Sequence, residues 1–140
     1  MNDMISNEKL VELALEARNR SYAPYSHFMV GAALLTNDGK VYQGCNIENA
    51  SFSPTVCAER TAFFKAISEG DREFVKIAVV GSPEGEVDRY AAPCGVCRQV
   101  MTEFCDPETF EIIFGISPEK YEVHLLKEIL PYGFGMGHLK

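Results

Sequence analysis

The chain has 140 residues, 46% hydrophobic and 24% charged, the composition of one soluble globular domain over 1–140. Twenty acidic against 13 basic residues leave a formal charge of −7 with no Lys/Arg cluster, which argues against nucleic acid as a partner. No apolar run reaches the length of a membrane span, and the start MNDMISNEKL has neither the basic end nor the apolar stretch of a secretory signal, so no membrane partner and a cytoplasmic location are expected.

Ser6 is placed to cap a first helix running to about Asn19, with Leu10, Leu13, Ala14 and Ala17 on its buried face. "SYAPYSHF" ends it, because Pro24 cannot continue a helix and keeps its predecessor extended. "MVGAALLT" and "KVYQGCNI" read as a hairpin around the turn "NDG". "VCAERTAFFKAISEG" reads as a helix ending at Gly70, and the nearly all-apolar "FVKIAVVG" suits a central strand covered on both faces. A polar loop over 82–92 leads to a helix starting near Pro93, in the first-turn position that proline favours. "FEIIFG" and "YEVHL" read as strands, and "LKEIL" as a short helix before a Gly-rich tail. The order α-β-β-α-β-α-β-β-α predicts a three-layer α/β/α sandwich around a mixed five-stranded sheet.

Five cysteines are an odd number, and a reducing cytosol disfavours structural disulfides. Cys94 and Cys97, three apart in a first helical turn, suit a redox pair and a metal pair equally. Cys57 adds a third thiol near another predicted helix start, with Glu59 two residues on. If the two helix N-termini meet, three thiolates converge and zinc is the natural occupant, with one position left open. Cys45 and Cys105 are inconvenient as a fourth ligand. One lies in a strand and the other about 12 Å along the helix from Cys97. His27, His124 and His138 share no ligand-like spacing. Zinc acidifies water, and Glu59 can accept the proton and deliver it to a leaving group. Arg60 suits either a hydrogen bond to a thiolate or a surface salt bridge.

Cys57-Ala58-Glu59 with Pro93-Cys94-Gly95-Val96-Cys97 has the form of the zinc deaminase signature. "YSHFMVGAALL", "GCNIENASF", "CAERTAFFKAI" and "APCGVCRQV" resemble the small homotetrameric cytidine deaminases of pyrimidine salvage, from about Tyr22 to Phe134. The resemblance implies deamination of cytidine and deoxycytidine, one zinc on Cys57, Cys94 and Cys97, Glu59 as proton shuttle, and Arg60 moderating the thiolate charge. It also implies that Asn46 and Glu48 hold the sugar hydroxyls, Phe28 stacks on the pyrimidine, and the Ala58 backbone N–H faces the base. Phe134 would complete a neighbouring subunit's pocket. Three departures stand out: Phe52 where many members carry tyrosine, Met29 where proline is common, and the tail "LPYGFGMGH".

Without the resemblance, Asn46 and Glu48 read as a strand end and a solvated turn, and Phe28 and Phe52 as core residues. Three other functions compete with the nucleoside reading. A deaminase of a free base or a cytosine-containing antibiotic would have no use for "NIENA". A dithiol oxidoreductase leaves Cys57-Ala-Glu unexplained and is tested by metal content, and a structural zinc module is tested by turnover.

Overall fold

The computed structural model describes residues 4–135. Alternation along the strands decides which helix covers each face of the sheet. The strands are β1 (Phe28–Thr36), β2 (Val41–Cys45), β3 (Phe74–Pro83), β4 (Glu111–Ser117) and β5 (Lys120–Leu125), joined in the order β2-β1-β3-β4-β5. Only β3 and β4 run parallel, and the other neighbours are antiparallel. As its apolar sequence predicts, β3 is the central strand.

Ala33, Leu35, Ala78, Val80 and Ile113 point to one side and bury Leu10, Val11 and Ala14 of helix α1 (Asn7–Arg18). Their sequence neighbours Ala32, Leu34, Ile77, Val79 and Ile112 point to the other side. There they pack on Ala62 and Phe63 of α2 (Ala58–Ser68) and on Met101 of α3 (Gly95–Phe104). A single-turn helix, α4 (Leu126–Ile129), adds Leu126 to that second core. The result is a three-layer α/β/α sandwich with a mixed sheet.

Ser6 caps α1, its Oγ accepting the Lys9 N–H at 3.1 Å. Val11 is buried in place of Leu13, which is only half-buried, so the helix rolls slightly from the face its periodicity suggests. Both larger helices rest on glycines. A Cβ on Gly31 would lie 2.1 Å from the Ala14 carbonyl oxygen, and one on Gly44 would lie 2.4 Å from that of Ala58. The second contact seats the first turn of α2 against β2.

One boundary difference is at α3. Pro93 is not its first residue. Cys94 is the N-cap, its sulfur accepting the Cys97 N–H at 3.5 Å. Cysteine takes the part usually played by serine or aspartate, a substitution that cap preferences do not signal. Similarly, β2 stops at Cys45, and Ile47 forms isolated bridges to Tyr22 and Val56 instead of extending the strand.

Candidate active site and metal centre

Strand directions gather the site at one end of the sheet. Phe28 opens β1 opposite Pro83 at the end of β3, and Cys45 at the end of β2 pairs with Gly31. The loop after β3 runs through Ala91 and Ala92 to the start of α3, so the N-termini of α2 and α3 arrive at the same end. Cys57 and Cys94 are the respective N-caps, and Cys97 is the third residue of α3.

The three sulfurs lie within 4.8 Å of one another, with Cys57–Cys94 at 3.5 Å and Cys94–Cys97 at 3.4 Å. No other ligand side chain joins this cluster among the described residues. Cys45 instead donates its thiol to the Arg20 carbonyl at 3.3 Å, and Cys105 caps α3 and packs against the core. His27 pairs with Glu84 and His124 with Glu122, away from the thiols, while His138 lies outside the described residues.

Arg60 Nη2 donates to Cys57 Sγ at 3.4 Å, which selects the thiolate contact over a surface salt bridge. The Cys57 thiol is brought down to about 5, chiefly by its contact with Cys97 and further by Arg60 and Cys94. The same contact pushes Cys97 up. Arg60 Nε is buried with no hydrogen-bond partner, and the guanidinium is held more firmly charged by Cys57 first and Cys97 second. Two helix N-termini and this guanidinium all favour negative sulfur. Three convergent soft donors under two helix N-termini, with a guanidinium on one of them, fit a zinc ion.

Glu59, 3% exposed, stands beside them. Burial raises its carboxyl to about 7, with Cys57 adding to the rise, while its own backbone N–H and Arg60 oppose it. A carboxyl balanced near neutrality can both take and return a proton at working pH.

A cavity of about 270 Å³ opens in front of Cys57, Glu59 and Cys94, and Phe28, Asn46 and Glu48 line it. Phe28 is half-buried, not core. Asn46 ties the cavity wall together, its Oδ1 accepting the Val30 N–H at 2.9 Å and its Nδ2 donating to the Phe28 carbonyl at 2.8 Å. Glu48 receives the Tyr25 and Ser26 backbone N–H groups on Oε1, and the Ser26 hydroxyl first, then these backbone bonds, hold its carboxyl below the usual range. Ala58 is fully buried as the first residue of α2, where a backbone N–H has no intrahelical acceptor. Phe134 is 56% exposed and does not line its own chain's cavity; Gln99 Nε2 holds its carbonyl at 2.7 Å. Phe52, 88% exposed, borders a smaller hollow next to Glu48. Met29, where proline is common, is held within β1: it pairs with Ser82 of β3, and its carbonyl accepts from Arg18 Nε at 3.0 Å.

Sequence reasoning missed Ser26, Thr55 and Ala92 as lining residues. Only the turn chemistry of "PYSH" hinted at Ser26, and its bond to Glu48 spans 22 positions, which no local period reads.

Residues 4–113 match the family described as the cytidine and deoxycytidylate deaminase zinc-binding region. A cytidine deaminase of Halalkalibacterium halodurans is 47% identical over 130 residues, covering 93% of this chain and 95% of that protein. One from Sporosarcina psychrophila is 58% identical over 99 residues, 71% of this chain and 70% of its own. The crystal structure of cytidine deaminase from Burkholderia pseudomallei superposes with a TM-score of 0.84 at 48% identity, covering 93% of this chain and 100% of that one. Among the described residues no helix is long and apolar enough to cross a membrane. A three-thiol cluster with a buried carboxyl, set in this fold and matched along most of its length, places the chain among the small zinc-binding cytidine deaminases, a family of hydrolases.

Proposed function

We propose that the protein converts cytidine and deoxycytidine with water to uridine or deoxyuridine and ammonia, as in pyrimidine salvage. The observation that carries this reading is Glu59, a buried carboxyl raised to about 7 beside three convergent thiols at the wall of a nucleoside-sized cavity. Cys57, Cys94 and Cys97 hold one zinc per chain, which when bound supplies the Lewis acidity that makes water a nucleophile near neutral pH. Glu59 takes a proton from water, delivers one to pyrimidine N3, and then serves the departing amine. Arg60 keeps the sulfur charge in check.

Phe28 offers a flat apolar face to the base, and the Ala58 N–H a donor to it. Asn46 has spent Oδ1 and one N–H on β1, leaving its second N–H for a sugar hydroxyl, and Glu48 accepts from that same sugar. The exposed Phe52 and Phe134 support a homotetramer in which Phe134 completes a neighbour's pocket, each chain being a single domain over 1–140 in the cytoplasm.

Ammonia release from cytidine, measured together with zinc content, tests the reading. Activity is expected to fall on chelation and return with zinc. Full activity in metal-free protein would overturn it, and light scattering that shows a competent monomer would remove the homotetramer.

A further inference from the structure

Ser26 lies on the loop between α1 and β1, and its hydroxyl has two partners that both face the cavity. The Oγ donates to Glu48 Oε2 and accepts the Phe28 N–H at 3.0 Å. The backbone N–H groups of Tyr25 and Ser26 meet Glu48 Oε1 at 3.0 and 3.1 Å. A carboxylate has about four acceptor positions, so three donors leave about one for a ligand. Between Ser26 and Phe28, His27 takes a left-handed backbone, φ 59°. That conformation is uncommon outside glycine. It is held by the His27 N–H on the Ala23 carbonyl at 3.0 Å and by the Glu84 N–H on the His27 carbonyl at 3.1 Å. The kink lets both of its flanking residues line one cavity.

We infer that Ser26 is a positioning residue for sugar recognition: its hydroxyl fixes the direction in which Glu48 offers its remaining acceptor position and ties that direction to the seat of Phe28. This rests on the reading that Glu48 meets a sugar hydroxyl. A free Glu48 side chain would rotate among several orientations, and a bound nucleoside would have to order it. With Ser26 in place that ordering precedes binding, so the benefit falls on substrates that carry the hydroxyl. Ser26 touches neither the thiols nor Glu59 in any hydrogen bond of the structure. Its loss therefore weakens the sugar contact most, loosens Phe28 slightly, and leaves the proton transfers at Glu59 in place.

The test compares kcat/KM for cytidine and for 2′,3′-dideoxycytidine, which keeps the base and ring but lacks both secondary hydroxyls. Five zinc-loaded proteins are needed: wild type, Ser26→Ala, Ser26→Thr, Glu48→Ala and the Ser26→Ala/Glu48→Ala double variant. Ser26→Ala is expected to lower the cytidine value by about 10-fold to 100-fold, the worth of a hydrogen bond to a charged group. The dideoxy value should fall by no more than about threefold, the share carried by the Phe28 N–H; Ser26→Thr should recover most of the cytidine loss, and Ser26→Ala should add no more than about that threefold once Glu48 is gone. Equal losses on both substrates, or a loss that multiplies with Glu48→Ala, would show Ser26 to be a support of the loop alone and overturn the inference. A threonine variant as poor as alanine on both substrates does the same. If Glu48→Ala leaves the preference between the two substrates untouched, the sugar reading of Glu48 fails first, an outcome distinct from the others.

Discussion

The two faces of the sheet are built alike and used differently. On one face α1 lies on Gly31 and buries Leu10, Val11 and Ala14; on the other α2 lies on Gly44 and buries Ala62 and Phe63. Both cores are apolar, and both helices approach the strands too closely for a side chain at the glycine. The difference lies at the helix N-termini. The orphan donors of α1 meet an ordinary serine cap. Those of α2 and α3 are headed by Cys57 and Cys94, and the partial positive charge of each terminus is directed at sulfur. Packing is thus shared by both layers, while chemistry belongs to the layer whose helices begin at the end where β1 starts and β2 and β3 finish.

The most damaging way to break this contrast is Glu59→Gln. An amide keeps the size of the side chain but cannot take up and return a proton. It supports none of the thiols, so zinc content should stay at about one per chain. Turnover should fall by about 10²-fold to 10⁴-fold, the usual weight of general acid–base catalysis. Near-normal turnover with a full metal complement would assign the proton transfers to another group.

Next come the two glycines, which test the faces directly. In Gly44→Ala the new Cβ meets backbone, 2.4 Å from the Ala58 oxygen and 2.6 Å from the Ala62 nitrogen, so the first turn of α2 must move. Cys57 and Glu59 move with it. A displacement on the order of 1 Å can cost about 10²-fold in rate, and that loss should appear in the fraction that remains folded. In Gly31→Ala the new Cβ lies 2.5 Å from the Arg18 nitrogen as well as against Ala14, so α1 must shift instead. Overpacking there should cost about 1–3 kcal/mol of stability with kcat per folded molecule little changed. Comparable activity loss from both variants would show that the layers are mechanically coupled.

How far the sequence alone reaches follows the same division. Strands β1 and β3, and the central place of β3, were legible because alternation and continuous apolarity are local signals. So was the metal set, because three thiols at two helix starts, one of them two residues before a glutamate, make no sense as core packing. The cap role of Cys94 was not legible, because Pro93 carries a stronger local preference for a first turn than cysteine does for a cap. The occupation of Asn46 and Glu48 by β1 and by the 25–26 loop was also beyond reach. Those bonds join segments far apart in the chain and exist only once the hairpin has brought them to one end. The sugar contact proposed for Glu48 sharpens the same comparison. Glu48→Ala should lower kcat/KM for cytidine by about tenfold or more while barely changing that for free cytosine. A uniform drop on both compounds would count against it.

The smallest expected effect separates the site end of the α2 layer from its opposite end. There Tyr42 Oη donates to Asp71 Oδ2, and Lys40 Nζ lies 3.0 Å from Oδ1. Tyr42 chiefly, and Lys40 after it, hold the Asp71 carboxyl below its usual range, so the native state favours the ionised form. A depressed carboxyl contributes stability above its unfolded value, about 3.9, and that contribution is lost as pH falls through the lower folded value. Tyr42, pushed up to about 12 first by its bond to Asp71, behaves in the opposite sense. Its contribution is present below about 10, the unfolded value, and disappears as pH rises through the folded one. Asp71→Asn removes the charge that drives both shifts. Its melting temperature should lie below that of the wild type at pH 7, and the gap should narrow toward pH 3. Activity at pH 7 should be unchanged, because neither residue lines the substrate cavity. A gap that stays constant from pH 3 to pH 7 would mean that Asp71 is held by geometry and not by its charge.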